Sequence, residues 1–384
     1  MTDNTELRDL RALAREHAET LRAGALDLDR DPRLAASLAD GRLPWRQLMG
    51  LPAEYNPDPF TIHGRAFYLN RCSEQVIVYE ELARVDAAAA LALPGPAMSG
   101  FVVSHLGDQA QRERYYSLLA STATWTFFGM TEPARGSDPA AMTTALREDE
   151  TGGLVLDGVK RFIGNGTRAT IGVVFARRSP GPLGINAVLL ETDRPGFTAV
   201  PLDTLGLRGL QLSELRMDQV PVADVDLLGR RSGTRQGMWA ATRTFNRFRP
   251  VVSSLALGVA QAAYDYVLEH RPAARERLED LAGRLHGARA LILAAAESAD
   301  HDPGDGTLAS AAKIRATALA EESTTTAVRL LGPGARFEHP MLDKWFRDAR
   351  GFEYMEGTAN IQRLTLAQGY LQGRLTDVRA VRAA

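Results

Sequence analysis

The spacing of hydrophobic residues changes twice along this chain of 384 residues, and that change constrains the fold more than any other feature. Up to about Ala123 the apolar residues recur mostly at helical spacing. Short β-like runs separated by turn residues follow as far as Leu228, and the helical period returns after Gly237. Helices, then strands, then helices predict an α+β fold, mostly α, rather than an alternating βαβ fold.

These three zones predict three domains: an N-terminal helical domain (1–123), a small central β domain (124–235) and a C-terminal helical bundle (236–384). The segment Val251–Val267 is apolar nearly all round, which predicts a helix buried inside the bundle. In the β zone, the pair Asp157-Gly158 predicts a tight hairpin.

Composition and charge exclude several function classes. A formal net charge of -2 gives no global attraction to nucleic acid or an anionic membrane. No apolar run reaches the roughly 18 residues of a membrane span, and the polar start does not resemble a secretory signal. The single cysteine, Cys72, excludes an intrachain disulfide. We therefore expect a cytoplasmic protein that binds neither nucleic acid nor membrane.

Few local motifs point to chemistry. The chain has no glycine-rich Rossmann fingerprint, no phosphate loop and no His/Cys cluster with metal-ligand spacing. The segment Thr131–Asp138 combines a proline, a glycine and hydroxyl side chains at the start of the β zone. Backbone N–H groups and hydroxyls in such a loop can hold a flavin and its pyrophosphate, although a polar surface loop is the commoner interpretation of this pattern alone.

Several short segments, taken in order, resemble the acyl-CoA dehydrogenase family from about residue 45 to residue 375. The matching segments are Glu80–Asp86, Thr131–Asp138, Leu156–Gly166, Leu205–Gly209, Leu227–Gly229, Phe346–Arg350 and Phe352–Arg363. The resemblance implies an N-terminal helical domain, a central β domain and a C-terminal four-helix bundle, with FAD between the last two. This is the same order that the hydrophobic spacing predicts.

The resemblance also implies roles for particular residues. The implied FAD-binding residues are Phe128, Met130, Thr131, Gly136, Ser137, Phe162, Ile163, Gly164, Arg271, Arg329, Gly332, Pro333, Thr358 and Asn360. Those implied to bind an acyl thioester are Ser137, Asn246, Arg247, Arg249 and Gly357.

Glu356 stands at the position of the family's catalytic base. The resemblance implies that Glu356 removes the α-proton of the thioester and that the β-hydrogen leaves as hydride to flavin N5. The backbone N–H of the base and a flavin ribityl hydroxyl would bind the thioester oxygen. Some members carry the base at the position of Phe248, which cannot accept a proton. Glu353 is the nearby alternative, and we interpret it as a solvated charge.

Three departures from the family pattern concern the cofactor. Phe162 and Gly164 replace the usual tryptophan and hydroxyl residue over the flavin. The segment after Arg271 is shorter than usual, so contacts with FAD of a neighbouring subunit are in question. Arg329, where glutamine is common, either pairs with the pyrophosphate or is an ordinary cation at a helix end.

The sequence leaves several functions open. The thioester can be on CoA or on a carrier protein of a biosynthetic pathway, the flavin can serve an oxidase or monooxygenase, and a non-catalytic helical scaffold is a further alternative. The resemblance implies an electron acceptor such as an electron-transfer flavoprotein, and a homotetramer or homodimer. Acyl chain length, branching, carrier, acceptor and oligomeric state are not determined by the sequence.

Overall fold

A computed structural model describes residues 4–41, 43–230 and 236–374. Its contacts divide the chain into two compact units. The first unit contains residues 1–26, 71–87 and 245–384, and the second contains residues 27–70 and 88–244. The predicted domain boundary at 235 falls outside the described residues, and the three-domain division stays a prediction.

Most helices predicted from spacing are present. The α-helices are α1 (Asn4–Arg22), α2 (Ala25–Arg30), α3 (Trp45–Leu48), α4 (Cys72–Leu91), α5 (Ala97–Leu106), α6 (Gln109–Ser121), α7 (Gly237–His270), α8 (Glu279–His301), α9 (Thr307–Leu331), α10 (Ala335–Glu338), α11 (Pro340–Asp348) and α12 (Ala359–Leu371). A 3-10 segment, Ala349–Tyr354, connects α11 towards α12. The last helix, α12, ends at Leu371.

The second unit carries a seven-stranded sheet and a small hairpin. The strands are β1 (Phe60–Ile62), β2 (Arg65–Phe67), β3 (Thr126–Gly129), β4 (Ala145–Glu148), β5 (Leu154–Ile163), β6 (Ile171–Arg177), β7 (Ile185–Glu191), β8 (Phe197–Pro201) and β9 (Ser213–Val222). The large sheet has the order β3-β6-β4-β5-β9-β8, with β7 also paired to β6. The core on this sheet is formed by buried aliphatic residues that include Leu156, Val174 and Leu215.

The predicted hairpin at Asp157-Gly158 is wrong. Strand β5 continues through both residues, and its register against β9 shifts between Leu156 and Gly158. Gly158 has φ +143, and a Cβ there would lie 2.6 Å from Oγ1 of Thr144. The glycine therefore forms a β-bulge, because a backbone that needs positive φ and close approach admits no side chain.

Most of helix α7 belongs to the first unit. The prediction that Val251–Val267 is buried is confirmed for its aliphatic residues. A Cβ on Gly258 would lie 2.4 Å from the carbonyl oxygen of Glu80, so this glycine lets the backbones of α4 and α7 approach closely. Among the described helices, α7 is the one long and apolar enough to cross a membrane, but 72% of its most apolar window is buried within the protein. That burial is typical of a core helix.

A fully buried ion cluster joins α11 to α4. Nζ of Lys344 on α11 donates to Asp86 at 2.6 Å and to Asp348 at 2.7 Å. All three side chains are buried, and Asp86 lies at a kink in α4. The two carboxylates outweigh the effect of burial and raise the pKa of Lys344. The cluster thus attaches α11, and the 3-10 segment that follows it, to α4.

Candidate active site

Glu356 lies in the loop between the 3-10 segment Ala349–Tyr354 and α12, and its backbone is strained. Its φ of +49 is in the left-handed region, which a residue with a Cβ seldom adopts. Its Oε2 atom is buried and has no hydrogen-bond partner among the described residues. Strain of this kind and an unsatisfied buried oxygen are both costly, and they concentrate at functional sites.

Three buried side chains hold the backbone of this loop. Nε of Arg249 donates to the carbonyl oxygen of Glu356 at 3.1 Å. Nε2 of Gln362 donates to the same oxygen at 3.0 Å and to that of Gly357 at 2.9 Å. Nζ of Lys313 donates to the carbonyl oxygen of Glu353 at 3.1 Å. These bonds position the Glu356 carboxylate by fixing the backbone on both sides of it.

The electrostatics of the loop favour a base that works near neutral pH. Burial raises the pKa of Glu356 to about 7, and the positive charges of Lys313 and Arg249 oppose that rise. Burial lowers the pKa of Lys313 to about 8 and that of Arg249 to about 10, with Glu356 opposing both changes. A carboxylate with a pKa near 7, as Glu356 has, is suited to general base catalysis at neutral pH.

The nearby alternative, Glu353, has a structural role. Its Oε1 accepts a hydrogen bond from the backbone N–H of Ala359 at 2.7 Å, at the first residue of α12. The interpretation of Glu353 as a solvated charge is therefore wrong, because its carboxylate satisfies a donor at a helix N-terminus. Thr358 is the N-cap residue of α12, and within the described residues its side chain makes no cap hydrogen bond.

The predicted substrate residues on α7 are buried and hydrogen-bonded within the first unit. Nδ2 of Asn246 donates to the carbonyl oxygen of Pro303 at 3.0 Å, and its Oδ1 accepts from Arg249 at 2.7 Å. A guanidinium N–H of Arg247 donates to Oε1 of Gln75 at 3.0 Å. In these contacts Asn246 orients Arg249, which in turn holds the Glu356 loop. Substrate contacts by Asn246, Arg247 and Arg249 stay predictions.

The buried lysines are functional candidates that the sequence motifs do not identify. The chain contains three lysines among its 45 Lys and Arg residues, Lys160, Lys313 and Lys344, and all three side chains are fully buried. The scarcity of lysine in the sequence is the signal that could have singled out these three positions. Gln362 is also fully buried and was missed, since nothing in its spacing distinguishes it from a surface glutamine.

On the second unit, the loop predicted to bind flavin offers unused donors. Residues 133–138 are exposed. In the part of the chain that the structure describes, Thr131, Gly136 and Ser137 donate no hydrogen bond. A Cβ on Gly136 would meet no atom within 4 Å, so the space beside the loop is open. Open N–H and hydroxyl donors fit a cofactor with carbonyl and phosphate oxygens.

An aromatic ring lies on the strand end adjacent to that loop. Phe162 is 55% exposed and has φ +61, whereas Ile163 is buried in the sheet core. The backbone N–H of Arg161 donates to the carbonyl oxygen of Thr131 at 2.8 Å, which joins the two segments. A Cβ on Gly164 would lie 2.9 Å from Cδ1 of Leu210. An exposed ring beside open donors fits a flavin, which binds through stacking and hydrogen bonds.

A buried ion pair between Lys160 and Glu132 holds the start of the loop that is predicted to bind flavin. Nζ of Lys160 donates to Oε1 of Glu132 at 3.0 Å and to the carbonyl oxygen of Met130 at 3.1 Å. The Glu132 carboxylate also accepts from the backbone N–H groups of Thr143 and Thr144 at 2.7 and 2.8 Å. Despite burial, these partners lower the pKa of Glu132 to about 2, so it stays ionised. The half-buried Phe128 packs on Phe175 with ring centroids 5.1 Å apart.

Replacing Lys160 with methionine is expected to weaken FAD binding about tenfold or more. Without the ion pair to Glu132, the loop predicted to bind flavin is expected to become more mobile, and ordering it when FAD binds would then cost free energy. Titration of the apoprotein with FAD, followed by flavin fluorescence, measures the change. Arg147→Met is the matched control, since it removes an exposed ion pair with Asp157 on the same sheet. Equal FAD affinity in wild type and Lys160→Met would show that the ion pair does not support the loop.

The remaining predicted cofactor residues are at the surface. The guanidinium of Arg271 donates to the carbonyl oxygen of Leu330. Arg329 is exposed and makes no hydrogen bond or ion pair within the described residues. Gly332 ends α9 with φ +107 and is followed by the exposed Pro333. Asn360 is exposed and accepts from Arg363 at 3.0 Å. Their contacts with FAD stay predictions.

Comparison with known proteins identifies the family. Residues 127–220 match the acyl-CoA dehydrogenase middle domain, and residues 235–371 match the acyl-CoA dehydrogenase C-terminal domain. The cyclohexane-1-carbonyl-CoA dehydrogenase of Geobacter metallireducens is 31% identical over 312 residues, which cover 76% of this chain and 80% of that protein. A probable acyl-CoA dehydrogenase of Mycobacterium leprae is 30% identical over 95% of this chain and 97% of its own length.

A solved structure shows the same fold over nearly the whole chain. Butyryl-CoA dehydrogenase from Megasphaera elsdenii superposes with a TM-score of 0.82 and 26% identity, over 97% of this chain and 99% of that one. With the two domain matches and the similarity of the relatives, the chain belongs to the acyl-CoA dehydrogenase family and is an FAD-dependent flavoprotein oxidoreductase.

Proposed function

We propose that this enzyme oxidises an acyl-CoA thioester between C2 and C3, with Glu356 as the base that removes the α-proton. The observation that carries the proposal is the Glu356 carboxylate, whose Oε2 is buried and has no hydrogen-bond partner in the part of the chain that the structure describes. Burial also brings its pKa to about 7. The names of the relatives, which act on CoA thioesters, support CoA as the carrier.

The reaction breaks two C–H bonds and forms one C=C bond. The α-proton passes to a carboxylate oxygen of Glu356, and its electron pair becomes part of the new double bond. The chemistry that FAD supplies when bound is acceptance of the β-hydrogen as hydride at N5. The substrate is thereby oxidised by two electrons to a 2-enoyl thioester.

The chain also stabilises the negative charge that develops on the thioester oxygen. In the described structure, the backbone N–H of Glu356 donates no hydrogen bond, so it is available to that oxygen. A backbone fixed by Arg249 and Gln362 presents this N–H without reorganisation. Removing one such donor from an oxyanion costs a factor of roughly 100 to 1,000 in other enzymes.

For the reduced flavin we propose an electron-transfer flavoprotein as acceptor, and for the assembly a homodimer or homotetramer, both from the family resemblance. A carrier-protein thioester and an oxidase reaction are the competing outcomes. The presence of Glu356 argues against a monooxygenase, which needs no base for an α-proton.

The proposal is tested by mixing the purified holoenzyme, without oxygen, with a panel of acyl-CoA and acyl-carrier-protein thioesters. Bleaching of the flavin absorption and a product lighter by two hydrogens, seen by mass spectrometry, are expected with CoA thioesters. Reduction by carrier-protein thioesters alone would assign the competing carrier. A purified protein that binds no flavin would support the non-catalytic scaffold.

The rate of flavin reduction is expected to rise with pH through the pKa of Glu356 and then level off. The carboxylate must be ionised to accept the α-proton, so activity is lost as the pH falls below a pKa of about 7. Stopped-flow measurement of reduction between pH 5.5 and 9 checks this. A rate that falls as the pH rises across this range would contradict a carboxylate base.

A further inference from the structure

Lys313 contacts the loop of Glu356 but takes no direct part in the reaction described above, and its placement is unusual. It lies near the N-terminal end of α9, and its side chain is fully buried. Its ammonium makes one hydrogen bond within the described residues, to the carbonyl oxygen of Glu353, and no ion pair within 4.0 Å. A buried ammonium without a paired carboxylate is costly, which calls for a compensating function.

The groups around Glu356 show what that function can be. Arg249 from α7 and Lys313 from α9 carry positive charge, and Glu353 of the same loop carries negative charge. On the adjacent α11, Lys344 and Asp348 are in an ion cluster with Asp86. The guanidinium of Arg249 is hydrogen-bonded to the backbone of Glu356 and to Asn246. Within the described residues the Lys313 ammonium donates one hydrogen bond, so two of its three N–H groups have no partner there.

We propose that Lys313 is a positioning residue for Glu356. Its ammonium fixes the loop through the carbonyl oxygen of Glu353, and its buried positive charge keeps the Glu356 carboxylate ionised. The inference rests on the proposed function, in which Glu356 is the base. The inference adds that Lys313 sets the fraction of enzyme in which Glu356 is ionised at neutral pH and can therefore accept the α-proton.

The occurrence of lysine and not arginine at position 313 supports a role that requires a compact point charge. The chain uses arginine almost everywhere else, and it uses lysine at three positions, all fully buried. The other two lysines each form an ion pair with a buried carboxylate within 3.0 Å. Lys313 instead acts on Glu356 at longer range, where a low-dielectric interior transmits charge effectively.

The test measures the ionisation of Glu356 directly. Holoenzyme labelled with ¹³C at the glutamate side-chain carboxyl is titrated by NMR, and the Glu356 signal is identified by its loss in Glu356→Gln. Lys313→Met replaces the lysine with a neutral side chain of similar length. In this variant we expect the pKa of Glu356 to rise by about 1 unit or more. Lys313→Arg keeps the charge and is expected to keep the pKa close to that of wild type.

A second readout follows flavin reduction by thioester against pH. With the higher pKa, Lys313→Met is expected to lose about fivefold or more in rate at pH 7 and to recover most of it by about pH 9. The matched control is Arg315→Met, which removes the same charge two residues along α9, on another face of the helix. It is expected to leave the pKa of Glu356 unchanged.

The outcomes separate this inference from the proposed function. If Lys313→Met lowers the rate equally at every pH and leaves the pKa of Glu356 unmoved, Lys313 is merely structural and the inference is wrong. If the pKa rises but no thioester reduces the flavin in wild type, the inference on ionisation holds and the proposed function fails. Should Lys313→Met not fold, Lys313→Gln is titrated in its place with the same two criteria.

Discussion

Glu356→Gln is expected to keep FAD and fold while slowing anaerobic flavin reduction by at least about 100-fold, at the low end of the general-base contribution. The amide preserves the shape of the side chain but cannot accept a proton at neutral pH. It also leaves the backbone N–H of residue 356 in place, so the loss reports proton abstraction rather than the binding of the thioester oxygen. Stopped-flow absorbance with a thioester that reduces the wild type measures the change.

Glu353→Gln is the matched control, because it makes the same change three residues away. Its amide oxygen can still accept from the N–H of Ala359, so this variant is expected to retain most of the wild-type rate. Rapid reduction in Glu356→Gln together with loss in Glu353→Gln would move the base to Glu353.

Lys344→Met is expected to lower the free energy of unfolding by about 3–5 kcal/mol, the cost of removing one partner from a buried ionic cluster. Two buried carboxylates, Asp86 and Asp348, would then lack their cation. Urea unfolding at pH 7, followed by circular dichroism, measures the loss.

The control for this variant is Arg336→Met on α10, which removes a partly exposed ion pair with Asp343 at 2.6 Å. Exposed pairs contribute up to about 1 kcal/mol, so a small change is expected there. A loss in Lys344→Met no larger than that in Arg336→Met would mean that the buried cluster does not stabilise the attachment of α11 to α4.

The candidate site divides into residues that the sequence predicts and residues that it does not. Glu356 and the loop around Thr131 stand in short segments whose order along the chain resembles the family. Lys313 lies in no such segment, and the segments that contain Lys160 and Gln362 carry no sign of the roles of these two side chains. Lys160 holds Glu132, 28 positions away, and Lys313 holds Glu353, 40 positions away. A side chain that holds a distant loop leaves little trace in local spacing.

The hairpin at Asp157-Gly158 shows a different kind of error. The Asp-Gly pair is a strong local signal for a turn, but β5 is held on both sides by β4 and β9. Pairing on both edges keeps the chain extended, and the positive φ of Gly158 is used for a bulge. Tertiary pairing therefore overrides the local preference.

By itself, the sequence determined the α+β class, the helical ends and the β centre, because hydrophobic spacing reports directly which face of each element is buried. It also determined the family, through the ordered motifs that include Glu356. Only the tertiary structure decided that Glu353 caps α12, that Asn246 orients Arg249, and that all three lysines are buried. The physical reason is that hydrogen bonding and charge burial depend on which distant groups meet, and spacing along one chain does not specify those partners.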